Sequence, residues 1–484
     1  MDDLKLYGKS EGQIDSLIQS VHVFSEDIGM EFGIKKCGIL IMKRGKIVNC
    51  EGIVIPNGEI MREIEEEGYT YLGIVELDKI KESEMKDKTM KEYKRRLRLI
   101  LKSKLNGRNK ITAINTWAVA IFRYGAGILD WKDSELKKAD RKTRKLMTIH
   151  GALHPKSDVD RLYVKRKEGG RGLSSIEIAV KAEVNNVGQY VLNSEEVLIQ
   201  GVKMAGTIET EGTVDKAVFK RQRQNELKQR WTDKVMYGQF YRETTPIIDK
   251  EQNWCWLSKS DLKVETEALI CAAQEQALRT NYVKYHIDKT AENPVCRMCG
   301  KRGESVQHIV SECEKIAQKE YKRRHDNVAK RIHWDLCRKN GLEYAEKWYE
   351  HSPEGVIEND TVKILWDINI QCDNIIEARR PDIVVIDKSE KTCIIIDIAV
   401  PGDKRIEEKE REKIEKYQEL KREIGRLWSL KKVQVIPVVV GALGSVSIGF
   451  KKWIEKLEIS PNITDIQKTV LLGTARILRK VLEM

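Results

Sequence analysis

Residues 381–400 read Pro-Asp-Ile-Val-Val-Ile-Asp-Lys-Ser-Glu-Lys-Thr-Cys-Ile-Ile-Ile-Asp-Ile-Ala-Val. Two apolar, β-branched runs, 383–386 and 393–400, flank a polar turn. A third, 433–440, follows a charged helix expected over 405–427. Continuous apolar runs predict strands buried on both faces, and strand, turn, strand, helix, strand predicts an α/β domain. Asp397 interrupts the second run, and a carboxylate in an apolar strand is costly unless it is paired or binds a metal. Asp382 opens the first run, behind Arg380-Pro381. Acids on neighbouring strands of one hairpin meet at one end of the sheet, where a hard divalent cation such as magnesium finds oxygen ligands. The competing reading is that Asp382 caps a turn and Asp397 pairs structurally with a cation.

A cation held there would activate water for phosphodiester cleavage. A lysine normally completes such a site. In restriction-like nucleases of the Pro-Asp…(Asp/Glu)-x-Lys type it lies two residues after the second acid, where this chain has Ala399. The following helix offers a substitute, because Lys413, Lys416 and Tyr417 fall at i, i+3 and i+4 on one face. The choice between Lys413 and Lys416 stays open. Asp367 and Asp373, just upstream, are further candidate ligands, with turn and cap roles as the alternative.

Cys296-x2-Cys299-x8-His308-x4-Cys313 supplies four ligands of the kind zinc takes in a tetrahedron. Cys-x2-Cys lets two thiolates reach one ion from a tight turn, and Gly300 suits that turn. The surrounding residues are polar, so the metal replaces a missing core. Its role would be structural, since no position is left open for water. His325 is a possible substitute for His308. The other cysteines are mostly isolated and read as buried thiols rather than as a disulfide framework.

The whole chain has 484 residues, 41% hydrophobic and 33% charged, with a net charge of +12. That length suggests about three domains, and the composition excludes a wholly disordered chain. No stretch is apolar enough for a membrane span. Met1-Asp2-Asp3-Leu4-Lys5 is no signal peptide, so a soluble intracellular protein is expected. A helix is expected over 13–28, strands over 39–42 and 53–55, and mostly helices over 81–290, punctuated by Gly169-Gly170-Arg171-Gly172, with a small, polar linker over 201–215. Basic residues crowd three segments, 91–110, 137–145 and 161–171. Their candidate phosphate contacts are Lys94, Arg95, Arg96, Arg98, Lys102, Arg141, Arg144, Lys165, Arg166 and Arg171. The alternative is solvated helix faces.

Together these motifs resemble, in order, the polyprotein of site-specific non-LTR retrotransposons, which joins a reverse transcriptase to a zinc knuckle and a C-terminal restriction-like endonuclease. Arg-Arg-Pro-Asp (379–382), Ile-Asp-Ile-Ala-Val-Pro (396–401) and Glu-Lys-Ile-Glu-Lys-Tyr (412–417) resemble the endonuclease, and Cys296, Cys299, His308 and Cys313 its knuckle. Arg161-Leu162-Tyr163 through Leu173 resembles the thumb and linker. Asp2-Asp3 resembles the metal-binding pair of the polymerase palm. Gly29-Met30-Glu31-Phe32-Gly33 and Tyr71-Leu72-Gly73 resemble the palm element after it and the primer grip.

The resemblance implies a multidomain α+β chain: a palm remnant (1–80), a helical thumb (81–200), a helical linker (201–290), a zinc knuckle with a helical connector (291–350) and an α/β restriction-like endonuclease (351–484). It implies Mg²⁺-dependent nicking of target DNA by Asp382, Asp397 and Lys413 or Lys416 to prime copying of the element's RNA, in the nucleus. Everything the family carries before Asp2 is missing, so the polymerase is expected to be inactive in this fragment. The alternatives are a nucleic-acid-binding module without catalysis, or a non-functional relic.

Overall fold

From its N-terminus the chain builds one helix and three small ribbons before any extended core. The computed structural model describes residues 4–31, 33–206, 208, 212–459 and 463–483. Helix α1 (Glu11–Asp27) matches the expected amphipathic segment. It buries only Ile18 and leaves Leu17, Val23 and Phe24 exposed. Ile41–Lys43 pairs with Lys46–Val48, Ile53–Val54 with Ile60–Met61, and Tyr69–Tyr71 with Ile74–Glu76. Among the described residues these strands stay two-stranded and join no larger sheet. Asp2, Asp3 and Phe32 lie outside the described residues.

A helical block follows, with α2 (Glu82–Lys102), α3 (Asp133–Ile149), α4 (Ile176–Asn193) and α5 (Lys216–Asp233). Glu82 and Glu84 sit in the first turn of α2, where acids oppose the helix dipole. Asp140 of α3 accepts the Ile176 N–H at 2.8 Å and the Ser175 hydroxyl at 2.7 Å, capping α4 from its neighbour. Tyr93, Leu97, Phe122, Leu136 and Ile176 are buried in one cluster between these helices. Arg161, Arg171 and most of Arg166 also turn inward. Arg161 donates to Cys271 O at 3.0 Å and pairs with Glu275, while Arg166 and Arg171 both grip Glu267 of α6 (Val264–Gln274).

The glycine loop before α4 is shaped by this packing. Gly169 and Gly172 have φ of 92° and 75°. A Cβ on Gly170 would stand 2.1 Å from the Val164 carbonyl oxygen, which is backbone and has nowhere to go. Gly170→Ala should therefore cost about 3 kcal/mol. A thermal melt that moves by less than 2 °C would refute this account of the loop.

The C-terminal half holds the three anticipated strands within a five-stranded sheet whose first two strands, over 356–366, are not among those expected. Helix α7 (Lys322–Lys339) leads into strands β1 (Val356–Glu358), β2 (Val362–Trp366), β3 (Ile383–Asp387), β4 (Thr392–Ala399) and β5 (Lys432–Val439). Their order is β5-β4-β3-β2-β1. β4 runs parallel to β5 and antiparallel to β3. The expected charged helix is two helices, α8 (Ile406–Lys416) and α9 (Gln418–Leu427), broken at Tyr417, whose ψ is 14°. Tyr417 is fully buried against the sheet, and its hydroxyl is held there by Asp397. The last helix, α10 (Ile463–Leu482), lies against α7 and α6. Trp254, Trp256, Leu269, Cys296, Ile309 and Leu478 share one buried cluster, so linker, knuckle and C-terminal helix pack as a unit. No helix among the described residues is long and apolar enough to cross a membrane.

Candidate active site and metal centre

Strand register brings the two acids together. Ile383 pairs with Ile396, so Asp382, one residue earlier, stands across from Asp397, and cross-strand partners share a face. Asp382 Oδ2 accepts the Ile398 N–H at 2.7 Å and lies 3.2 Å from His325 Nε2. Burial disfavours ionisation of Asp382, but His325, the Ile398 N–H and Lys413 outweigh it and hold the carboxyl below its ordinary range. His325 answers in kind: burial opposes its charge, yet Asp382 and Asp326 hold the imidazole up at about 9.

Asp397 is 2% exposed. Its Oδ1 accepts the Tyr417 hydroxyl at 2.6 Å, and that hydroxyl accepts from Lys416 Nζ at 2.8 Å. The Lys413 ammonium lies against Oδ2 as an ion pair, but no donor is aligned on that oxygen as a hydrogen bond. Lys416 Nζ stands 3.9 Å from Oδ1 and is the more exposed of the two amines. Burial and Asp397 together push the Tyr417 hydroxyl far up, so it stays a donor. The result is two carboxylates at one end of a rigid sheet, each oriented by a fixed partner and faced by a cation, His325 for Asp382 and Lys413 for Asp397. Carboxylate oxygens are the donor type that hard divalent cations take.

Asp367 and Asp373 are engaged elsewhere, Asp367 by Arg380 at 2.8 Å and Asp373 by Arg426 at 2.6 Å. His325 is a correction to the sequence reading. It faces Asp382 rather than the cysteines, because α7 leaves the knuckle and runs on to the sheet. The spacing of residues 57 apart carries no signal of that contact.

The four knuckle residues do converge, with donor atoms all within 4.8 Å of one another. Cys296 Sγ and Cys313 Sγ are 4.0 Å apart, and Cys299 Sγ is 3.3 Å from His308 Nε2. Sulfurs bound tetrahedrally at about 2.3 Å would lie about 3.8 Å apart. The turn forms as its sequence suggests: the Gly300 N–H donates to Cys296 O at 2.8 Å, and Gly300 takes φ 66°. Tyr321 fixes the other side, accepting the Cys313 N–H at 3.1 Å and donating to Ile309 O at 2.7 Å. The Lys301 and Arg302 N–H groups, together with His308, outweigh burial and hold the Cys299 thiol down to about 6. Burial pushes its neighbour Cys296 up. This cluster can hold a metal ion.

The basic residues divide. Arg95 and Arg96 both clamp Glu92, and Arg96 also covers the Trp117 ring at 5.1 Å. Arg98, Lys102, Arg141 and Lys165 are exposed, while Lys94 and Arg144 are half-buried. The like charge of Lys94 pushes Lys142 down. Lys137, Arg141, Arg144, Lys181, Arg223 and Arg230 line a groove of about 480 Å³ together with the acids Asp140, Asp160, Glu177 and Glu226, and Lys181, Arg223 and Arg230 are paired with Glu177, Glu226 and Asp160. Arg171 is a second correction. At 2% exposed it cannot reach a phosphate, and Arg166 is tied to the same Glu267. Both serve the interior because an acid on α6 lies within reach.

No family model matches the chain, and no curated protein matches it.

Proposed function

We propose that this chain is a metal-dependent DNA-nicking enzyme, with Asp382 and Asp397 as its metal ligands. The observation that carries this is the pair of carboxylates on facing strand positions with the Lys413 ammonium laid against one of them. Magnesium bound there supplies activation of water and neutralisation of charge on the phosphodiester. The chain's own residues do the rest. His325 and the Ile398 N–H hold Asp382 in place, and Tyr417 holds Asp397. Lys413 supplies a positive charge at the scissile phosphate. Lys416 lies one shell further out, bound to Tyr417.

In this reading zinc fills the knuckle, whose three thiols and one imidazole form a closed donor set. The exposed cations of the α2–α3 surface track the nucleic-acid backbone. The retrotransposon reading adds a purpose: the nick exposes a 3′ hydroxyl that primes copying of an RNA. The exposed Arg98, Lys102, Arg141 and Lys165 favour a second reading, binding without turnover.

One experiment separates the readings. The intact chain, incubated with supercoiled plasmid, should convert it to the open circle in Mg²⁺ and stop when the metal is chelated. Retention of plasmid with no conversion at any Mg²⁺ concentration would leave the binding reading and remove the enzymatic one.

A further inference from the structure

A second group of soft ligands lies about two turns further along α7 than His325, where His333 meets Trp366 of β2. His333 and Cys337 sit one turn apart on the buried face of that helix, at 0% exposure each. The connector after the helix returns His351, 5% exposed, to the same place. His333 Nδ1 is 2.8 Å from His351 Nε2 and 3.5 Å from Cys337 Sγ. The three donor atoms all lie within 4.8 Å of one another. Around them are Ile332, Leu336, Leu342, Val362 and Ile364, an apolar setting.

Two imidazoles and a thiol in such surroundings are expensive unless their lone pairs are used. Between themselves they make one good hydrogen bond and one weak one to sulfur. A single cation would occupy all three lone pairs at once.

We propose that His333, Cys337 and His351 form a second zinc site, independent of the knuckle and of the nuclease reading. Zinc bound at about 2.3 Å to sulfur and about 2.05 Å to nitrogen spaces those atoms about 3.5 Å apart, and two nitrogens about 3.3 Å apart. The Cys337–His333 distance already meets this, and the imidazoles need to part by about half an ångström. Cys337 gives up its proton to solvent on binding. The thiolate would cancel half the charge of the ion, and the fourth position would be left to a water. The ion would strap the connector onto α7. That connector is otherwise held by the Trp334 indole donating to Ala345 O at 2.7 Å and Lys330 to Tyr349 O at 3.0 Å. It carries Trp348, which lines a cavity of about 210 Å³ with Arg323 and Arg476.

The test counts metal on the full chain, stripped and then reloaded with Zn²⁺ alone. Two tightly held zinc ions per chain are expected for the wild type. One is expected for Cys337→Ser, for His351→Gln, and for the knuckle variant Cys299→Ser. A wild type whose single ion is lost by Cys299→Ser and kept by Cys337→Ser, or a Cys337→Ser protein that still holds two, overturns the second site. If the wild type holds one ion, lost by Cys337→Ser and kept by Cys299→Ser, the knuckle reading fails and this one stands. Should the variants not fold, Co²⁺ loading of the wild type decides: charge-transfer absorbance for four bound thiolates supports the site, and absorbance for three overturns it.

Discussion

Asp397→Asn should lower Mg²⁺-dependent nicking by about 1,000-fold, equivalent to about 4 kcal/mol of transition-state stabilisation. Asparagine keeps the shape and the oxygen that accepts from Tyr417, so the rotamer and the break between α8 and α9 should survive. It removes the negative charge, and with it a ligand for a hard cation. Lys413, released from its ion pair, is 17% exposed and can turn to water. Melting should accordingly shift by no more than about 2 °C, and upward if the isolated charge in the strand is a burden on the fold. The initial rate of open-circle formation and a thermal melt, on the same preparation, give both numbers. Nicking within threefold of wild type would remove Asp397 from the site. A collapse of the melt together with activity would instead mark Asp397 as a structural ion-pair partner.

The second large effect concerns stability. Glu267→Ala should destabilise the chain by about 3–5 kcal/mol, because it leaves one fully buried guanidinium, Arg171, and one largely buried, Arg166, without their counter-charge. Removal of one partner costs more than the pair is worth, since the survivor has already lost its water. Denaturant unfolding measures this, and a loss under 1 kcal/mol would mean that water reaches the arginines. The same carboxylate carries a pH signature. Burial pushes Glu267 up, but Arg171 and Arg166 outweigh it and hold it below its ordinary value. A carboxyl depressed on folding adds stability that is complete above the unfolded value of about 4.3 and is lost as pH falls through the lower folded value. Stability of the wild type should thus decline below about pH 4 more steeply than that of Glu267→Ala.

Residues 381–440 announced their own structure because strands buried on both faces need uninterrupted β-branched runs, and few other elements read that way. The placement of Asp382 opposite Asp397 follows from a short hairpin. The knuckle was legible for a similar reason, with four ligands in one short stretch and a glycine at the turn. Lys413 and Lys416 stood on one helix face in the sequence, but their ranking against Asp397 needed the angle at which α8 crosses the sheet. His325 was misread because its partner lies 57 residues away on another element. Of the second metal cluster, the His333–Cys337 spacing shows one helix face, and nothing marks His351 as its neighbour.

Arginines were the hardest to read. Arg95, Arg98, Arg166 and Arg171 look alike in a basic run, yet Arg98 faces solvent while Arg171 is interior. Local spacing alone determined strands β3, β4 and β5, most of the helices, the hairpin acids and the cysteine turn, because those depend on backbone periodicity and on neighbours in the chain. Only the tertiary structure decided which charges are free and which are buried against an acid, which histidine steadies Asp382, and how α10 joins the linker to the knuckle. Those outcomes depend on which distant surfaces exclude water together, and desolvation is a property of the packed assembly rather than of any stretch of chain.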